Sequence, residues 1–309
     1  MALKSNKLFF LILKLVISSV LLYLVLSRTG VERVLSTLKG MNPAAFIFAI
    51  FLYLFAQLLS TLRWRLLLPE VLGLRKLFSL YIIGCFFNTL LPGIIGGDAV
   101  KAFYLYKAIG KSSLTIASIF MDRYLGFTML MAICTIAFPF GYTYLLGSRI
   151  EWLLPLVVLS FIIASFLLFG LRLGKSIKIV SGFYDYFHAY RHQKTIIGKA
   201  LLISVIVQLS NIFAVYILAL GLGEHISFIV FLIFLPLIIL FTMLPISISG
   251  LGVRESAFVV LFGLIGIKPE IATALSLSWF LSTAVGSLLG LIEYIRYKKE
   301  KVTGEIVSE

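Results

Sequence analysis

Two stretches of the sequence decide its fold: Leu91-Pro92-Gly93-Ile94-Ile95-Gly96-Gly97-Asp98-Ala99-Val100-Lys101 and Leu244-Pro245-Ile246-Ser247-Ile248-Ser249-Gly250-Leu251-Gly252-Val253-Arg254. In each stretch a Pro precedes a glycine-rich break, and Val and a cation follow at the eighth and ninth positions after the Pro. Both stretches lie among apolar runs, so each is expected to interrupt a membrane-buried helix. Charged breaks at corresponding places in two halves of a membrane protein indicate a substrate site near the bilayer midplane.

The composition defines the class of protein. The chain has 309 residues, of which 61% are hydrophobic and only 13% charged, and its mean hydropathy is +1.09. These values predict an all-α polytopic membrane protein in which residues 1–309 form a single integral membrane domain. The net charge of +14 comes from cations at the ends of apolar runs. Positive-inside topology and contact of basic loops with anionic lipid headgroups account for this placement, and nucleic acid is not an expected partner.

The apolar runs predict about six full transmembrane helices and two interrupted elements. Runs of about 20 apolar residues are long enough to cross a bilayer. They occur at approximately 8–27, 45–67, 113–141, 152–172, 197–221 and 269–296. Two further apolar regions, 76–110 and 227–266, contain the paired breaks.

Basic residues predict how the helices are oriented. The loop between residues 172 and 199 carries six Lys or Arg against one acid, so it is expected on the cytoplasmic side together with both termini. That arrangement requires 76–110 and 227–266 to be re-entrant from opposite faces. The repeat units, approximately 45–141 and 197–296, would then be inverted. Eight simple spans are the alternative, but they put the most basic loop outside. The expected location is the cytoplasmic (inner) membrane.

The loop 173–196 has the pattern of an amphipathic segment. Apolar residues recur at helical spacing among cations, which indicates a cytoplasmic helix lying on anionic lipid. His188 and His192 share a possible helix face. Two histidines without a nearby cysteine or acid cluster make a poor metal site, so no metal or cofactor is expected.

The first group of candidate substrate-binding residues surrounds the first break: Asn88, Gly96, Gly97, Asp98 and Lys101. Gly96-Gly97-Asp98 has the pattern of a helix start with Asp98 as the N-cap, which leaves backbone N–H groups pointing out of the break. Free amides with a cation one turn into the helix would form a cradle for a phosphodiester headgroup. The alternative is a capped interfacial helix in which Lys101 snorkels to water.

The second group is Asp122-Arg123, an adjacent acid and base inside a predicted span. Neighbouring residues on a helix diverge by about 100°, so each is expected to find a different partner. Pairing with the opposite half of the protein is the favoured interpretation, and direct contact of Arg123 with substrate is the alternative.

The third group lies at the second break: Gly250, Gly252, Arg254 and Glu255. The glycines allow close approach of the backbone to another segment or to a headgroup. Arg254 occupies the repeat position of Lys101, which favours a functional role.

Charges near the predicted span ends have simpler interpretations. Glu293 and Arg296 are three residues apart and are expected to form an interfacial ion pair. Arg63 and Arg65 are interpreted as positive-inside anchors, with attraction of the substrate as the alternative. The chain has no Gly-x-Ser-x-Gly, no His-Glu-x-x-His and only three histidines, so no catalytic residues and no enzymatic activity are expected.

Taken in order, these motifs resemble a known family. Pro92-x-x-x-Gly96-Gly97-Asp98-x-x-Lys101, Asp122-Arg123-x-x-Gly126 and Pro245-x-x-x-x-Gly250-x-Gly252-x-Arg254-Glu255 are similar to the three motifs of the lysylphosphatidylglycerol synthase transmembrane family, also called flippase-like domain proteins. Members commonly have Glu in place of Asp122 and Arg in place of Lys101, and Lys lacks the bidentate fork of Arg. The resemblance is to the membrane flippase region of the multiple peptide resistance factor, without its cytoplasmic synthase domain.

The resemblance implies a lipid translocase that is flippase- or scramblase-like. Its partner would be an anionic or modified phospholipid or a lipid-linked headgroup. Lys101, Arg123 and Arg254 would compensate phosphate charge, while the nearby acids hold these cations or recognise a cationic headgroup. Loss of lipid movement in Lys101→Ala or Arg254→Ala protein that still folds is the expected result. The alternatives are a membrane scaffold for a separate synthase or glycosyltransferase, and an intramembrane lipid-modifying transferase.

Overall fold

The computed structural model describes residues 2–68, 72–90, 95–148, 150–170, 193–243, 247 and 250–307. Regular structure in these ranges is entirely helical, without a β-strand. The α-helices are α1 Ala2–Thr29, α2 Val31–Lys39, α3 Pro43–Leu66, α4 Leu74–Leu90, α5 Ile95–Ile109, α6 Ser112–Gly141, α7 Leu153–Ser165, α8 Lys194–Gly221, α9 Phe228–Met243, α10 Val253–Gly263 and α11 Pro269–Val307. A 3₁₀ turn, Tyr142–Tyr144, extends α6, and a π-helical turn, Phe166–Gly170, extends α7.

The prediction of an all-helical polytopic membrane protein is confirmed. Five segments are long and apolar enough to cross a membrane: Pro43–Leu66, Ser112–Tyr144, Leu153–Gly170, Lys194–Gly221 and Pro269–Lys298. A sixth is obtained when α1 and α2, which are bent by 80°, are taken as one span. Each of the six predicted apolar runs overlaps a helix of the structure, and five of them match a segment that is long enough by itself to cross a membrane. The length of an apolar run is a local property of the sequence.

The helix α2 was not predicted. It follows the bend at Gly30, whose φ is +81°. Val34 is buried in the protein, while Val31 and Leu35 are exposed. This short helix is amphipathic, and the helical spacing of its apolar residues was the signal that the sequence interpretation missed.

The region 76–110 forms a helical hairpin. Gly84 of α4 lies against Lys101 of α5, and Asn88, four residues closer to the break, lies against Gly97. Contacts in this order require α4 and α5 to run antiparallel. The region therefore turns back on itself, as a re-entrant element does, and is not a single straight span. Pro92 lies outside the described residues.

The region 227–266 has the same design. Phe234 of α9 packs on Phe262 of α10 with ring centroids 5.5 Å apart, and Thr242 approaches Gly250 closer to the break. The two helices are therefore antiparallel. Pro245 lies outside the described residues. Of the predicted amphipathic loop 173–196, the residues up to 192 also lie outside them.

The helices pack in matching pairs across the two halves of the chain, which consist of α1–α7 and α8–α11. The most extensive interface joins α3 to α8, the first helices of the proposed repeat units. The hairpin helix α4 packs on α11, and its counterpart α9 packs on α6, so each half contributes a helix to the other. Related units would produce this exchange of partners. The boundaries 45–141 and 197–296, and the inversion of one unit relative to the other, stay a prediction.

Candidate functional site

A cavity of about 410 Å³ lies between the two halves. This volume is within the range of about 300–1,000 Å³ found for small-molecule sites in proteins. Three arginines line it: Arg63, Arg123 and Arg254. The wall also carries uncharged polar side chains from both halves, namely Tyr53, Gln57, Ser60, Tyr81, Asn88, Thr89, Gln208, Asn211, Thr242 and Thr283. Apolar residues complete the wall, including Phe127, Leu130, Ile239 and Phe280.

Arg63 is held by a buried network around Asp122. Its Nε donates to Asp122 Oδ1 at 2.8 Å, and its Nη1 donates to Ser204 Oγ of the second half at 2.9 Å. The Tyr81 hydroxyl donates to Asp122 Oδ2 at 3.1 Å, and the Asp122 side chain is completely buried. A buried ion pair is stable only when both partners are satisfied in this way. The interpretation of Arg63 as a membrane anchor was wrong, because its side chain is buried in this network. Arg65 is exposed, so the same interpretation of Arg65 stays a prediction.

Lys101 lies behind the cavity wall. Its Nζ is 3.5 Å from Asp122 Oδ2 and stacks over the rings of Trp64 and Tyr81, 3.8 and 3.9 Å from their centroids. Only 3% of the side chain is exposed. The two aromatic faces and the carboxylate offset part of the cost of burying the ammonium. Lys101 is not among the described residues that line the cavity, a position that does not favour the predicted phosphate cradle at its ammonium. The alternative, in which Lys101 snorkels to water, is wrong.

Arg123 and Asp98 form the most exposed ion pair of the site. The guanidinium donates through Nε and Nη2 to the two carboxylate oxygens of Asp98, each at 2.9 Å. The exposed fraction is 46% for the Arg123 side chain and 18% for Asp98. The remaining nitrogen, Nη1, makes no hydrogen bond to a described residue. Arg123 is thus the cation best placed to meet a ligand.

The predicted N-cap at Asp98 was wrong. The helix α5 begins at Ile95, so Asp98 lies in its first turn, and Gly96 lies half-buried in the same turn. The Gly97 amide donates to Asn88 Oδ1 of α4 at 2.8 Å. A side chain across the break therefore satisfies one of the amides expected to face an anion, and spacing within the break could not reveal that partner.

Close backbone packing explains Gly97. A Cβ added at this position would overlap the carbonyl oxygen of Gly84 and lie 2.6 Å from Cγ of Asn88. The two helices of the hairpin can approach this closely only without a side chain there. The hairpin in turn positions Asp98 beside Arg123.

The second break holds Arg254 by an equivalent network. Arg254 donates from Nη2 and Nε to Glu255 Oε1 at 2.8 and 3.1 Å, and Ser276 donates to the same oxygen at 3.0 Å. The Gly252 amide donates to Glu255 Oε2 at 2.6 Å. Gly250 and Gly252 have φ of +76° and +81°, which side chains other than glycine rarely adopt. The guanidinium also lies over Phe280, 4.7 Å from the ring centroid.

Asp122 and Arg123 bind different partners, as predicted. These partners are not the predicted ones from the opposite half. Asp122 bonds Arg63, Lys101 and Tyr81, and Arg123 bonds Asp98. All of these lie in the first half, so pairing with the opposite half was wrong. Both breaks and α6 instead converge on one cavity.

Glu293 accepts a hydrogen bond from Ser79 of α4 at 2.6 Å.

Sequence reasoning missed three amides of the cavity wall: Gln57, Gln208 and Asn211. They lie inside predicted spans, where an uncharged polar residue needs a partner or a wet surface, and this was the available signal. Gln208 donates to the Gly126 carbonyl oxygen at 2.8 Å. Among the described residues, no group of three or more His, Cys, Asp or Glu side chains could hold a metal ion.

A helical bundle with two antiparallel hairpins and an arginine-lined cavity defines this protein as a polytopic integral membrane protein with an internal polar site. Residues 11–290 match the family described as lysylphosphatidylglycerol synthase TM region, and the chain belongs to that family.

Two similar proteins come from archaea. A UPF0104 membrane protein of Methanocaldococcus jannaschii is 24% identical over 93% of this chain and 94% of its own length. A UPF0104 membrane protein of Pyrococcus horikoshii is also 24% identical, over 90% of this chain and 96% of its own length. Both likenesses extend over nearly the whole chain.

Proposed function

We propose that this protein is a lipid translocase that moves an anionic or modified phospholipid, or a lipid-linked headgroup, between leaflets. The observation that carries the proposal is the cavity of about 410 Å³ lined by Arg63, Arg123 and Arg254 inside a membrane-spanning bundle. Cations are expensive to keep within a membrane, and those that are kept usually serve a wet path or a partner. The family to which the chain belongs supports a role connected with membrane lipids.

The cavity suits a headgroup better than a whole lipid. Its volume matches a small polar molecule. The acyl chains can stay in the bilayer, in contact with the apolar outer surfaces of the helices. The planar fork of arginine matches a phosphate with two parallel hydrogen bonds. Arg123 is the expected first contact, since it is nearly half exposed and its Nη1 makes no hydrogen bond to a described residue.

The ion pairs explain how the buried arginines are stable when no ligand is bound. Asp98, Asp122 and Glu255 neutralise the three arginines when no phosphate is present. Asp98 is the easiest of the three to exchange for a phosphate, because it alone is partly exposed. The sequence has no P-loop, so movement would be downhill or coupled to an ion gradient. In this proposal both termini are cytoplasmic, and the protein lies in the cytoplasmic membrane.

Arg123→Gln is expected to slow lipid movement at least about tenfold, because a charge-assisted contact to phosphate contributes roughly 1.4 kcal/mol or more. The measurement uses proteoliposomes containing fluorescent phosphatidylglycerol, with dithionite added outside to quench accessible headgroups. Wild-type protein should remove signal beyond the outer-leaflet half. Arg123→Lys, which keeps the charge without the fork, should be intermediate.

The matched control is Arg65→Gln, because Arg65 is an exposed arginine of α3 that does not line the cavity. It should move lipid at the wild-type rate, and elution as a single peak in detergent shows that each variant is folded. A plateau at half the signal for wild-type protein with several lipid classes contradicts general translocation. A wild-type rate for folded Arg123→Gln contradicts the role of the cavity.

A further inference from the structure

The arginines of the ion pairs line the cavity, and the carboxylates that they bind do not. Arg63, Arg123 and Arg254 line the cavity, whereas none of the described lining residues is Asp or Glu. The carboxylates of Asp122 and Glu255 are completely buried beyond the arginines. Each ion pair is therefore a dipole with its positive end toward the cavity, and the cavity carries a positive potential even though every arginine is paired.

Lys101 adds to this potential. Within the described ranges, four cations share three carboxylates in the ion pairs of the site, so the cluster carries one net positive charge when every group is ionised. The Lys101 ammonium is sealed between aromatic rings and cannot be screened directly by water. An anion in the cavity would meet a favourable field and an ammonium group an unfavourable one.

Apart from the arginines, the polar side chains that the described residues contribute to the wall are uncharged. Gln57 and Asn88 come from the first half, and Gln208, Asn211 and Thr283 come from the second. Amides and hydroxyls both donate and accept hydrogen bonds, which is the pattern that recognises hydroxyl groups. Recognition by such groups discriminates strongly against a ligand that leaves them unpaired.

We propose that the cavity binds a phosphate-bearing headgroup that carries hydroxyl groups and no amine, and that it excludes an aminoacylated headgroup such as that of lysyl-phosphatidylglycerol. Arg123 contacts the phosphate, and the amides around Asn211 contact the hydroxyls. This inference rests on the proposed function in taking the cavity as the headgroup site. It concerns which headgroup binds, and binding can be measured without transport.

The test compares lipids with identical acyl chains on purified protein in detergent, by native mass spectrometry in competition. Phosphatidylglycerol has a phosphate and two hydroxyls, phosphatidylmethanol has the phosphate alone, and lysyl-phosphatidylglycerol adds ammonium groups. Phosphatidylglycerol is expected to bind at least about tenfold more tightly than lysyl-phosphatidylglycerol and a few fold more tightly than phosphatidylmethanol. A fourth lipid, phosphatidylinositol, distinguishes a ring polyol from glycerol as the source of the hydroxyls.

Two variants assign these preferences to the cavity. Arg123→Gln should weaken binding of every phosphate lipid, whereas Asn211→Leu should reduce only the advantage of phosphatidylglycerol over phosphatidylmethanol. Arg65→Gln should leave all affinities unchanged. Equal or tighter binding of lysyl-phosphatidylglycerol, equal binding of phosphatidylmethanol, or no binding that depends on Arg123 would overturn the inference. The expected order of binding without lipid movement in proteoliposomes, both with and without an imposed ion gradient, would instead refute the translocase proposal and leave the headgroup assignment standing.

Discussion

Asp122→Asn is expected to lower the free energy of unfolding by about 3–5 kcal/mol, the usual cost of removing one partner from a buried ion pair. Asp122 is completely buried and is the only carboxylate paired with Arg63 and Lys101 among the described residues. The substitution preserves shape but leaves two buried cations without a counter-charge. Reversible unfolding in mixed detergent and dodecyl sulfate micelles measures the change.

The matched control is Asp98→Asn, which removes the same charge from a neighbouring ion pair. Its partner Arg123 lines the cavity and is 46% exposed, so water in the cavity can replace part of the lost interaction. The expected cost is about 1 kcal/mol or less. Equal losses of stability in the two variants would show that burial of Asp122 does not govern the network.

Gly97→Ala is expected to cost about 1–3 kcal/mol, the range for overpacking a well-packed interface, and more if the hairpin cannot separate. The added methyl group would overlap the Gly84 carbonyl oxygen and crowd Asn88. These are backbone and short side-chain atoms, so no flexible group can move aside. The same unfolding measurement applies, and lipid movement should fall as well, because the hairpin positions Asp98 and Arg123.

Gly198→Ala is the control for the effect of a methyl group by itself. Gly198 lies in α8, and nothing lies within 4 Å of an added Cβ. Alanine at such a helical site is expected to raise stability by about 0.5–1 kcal/mol. The two glycine variants should therefore change stability in opposite directions, and a stable Gly97→Ala protein would contradict the close packing of α4 and α5.

The two breaks could be predicted because their signals are local. Proline and glycine interrupt a helix wherever they occur, and the matched cations Lys101 and Arg254 marked both breaks as charged. Their equivalence in sequence did not extend to their surroundings. Arg254 lines the cavity, whereas Lys101 is sealed beneath Trp64 and Tyr81. Aromatic residues on two other helices determine that difference.

The predictions that failed each depended on a partner distant in the chain. Arg63 looked like an anchor because it lies near the end of an apolar run, but its carboxylate is 59 positions away on α6. Asp98 looked like a helix cap because two glycines precede it, but α5 begins at Ile95 and its carboxylate binds Arg123, 25 positions away. Spacing within a segment contains no information about which face of another helix it will meet.

The sequence by itself determined the membrane class, five of the six predicted spans and the positions of the two breaks, since run length, helix breakers and charge placement are properties of neighbouring residues. Only the tertiary structure decided which cations face the cavity and which carboxylates hold them. A single helix exposes charges in every direction, and the rotation of each helix against its neighbours selects those that meet. The electrostatic character of the cavity, with arginines on the wall and carboxylates behind, therefore arises from packing.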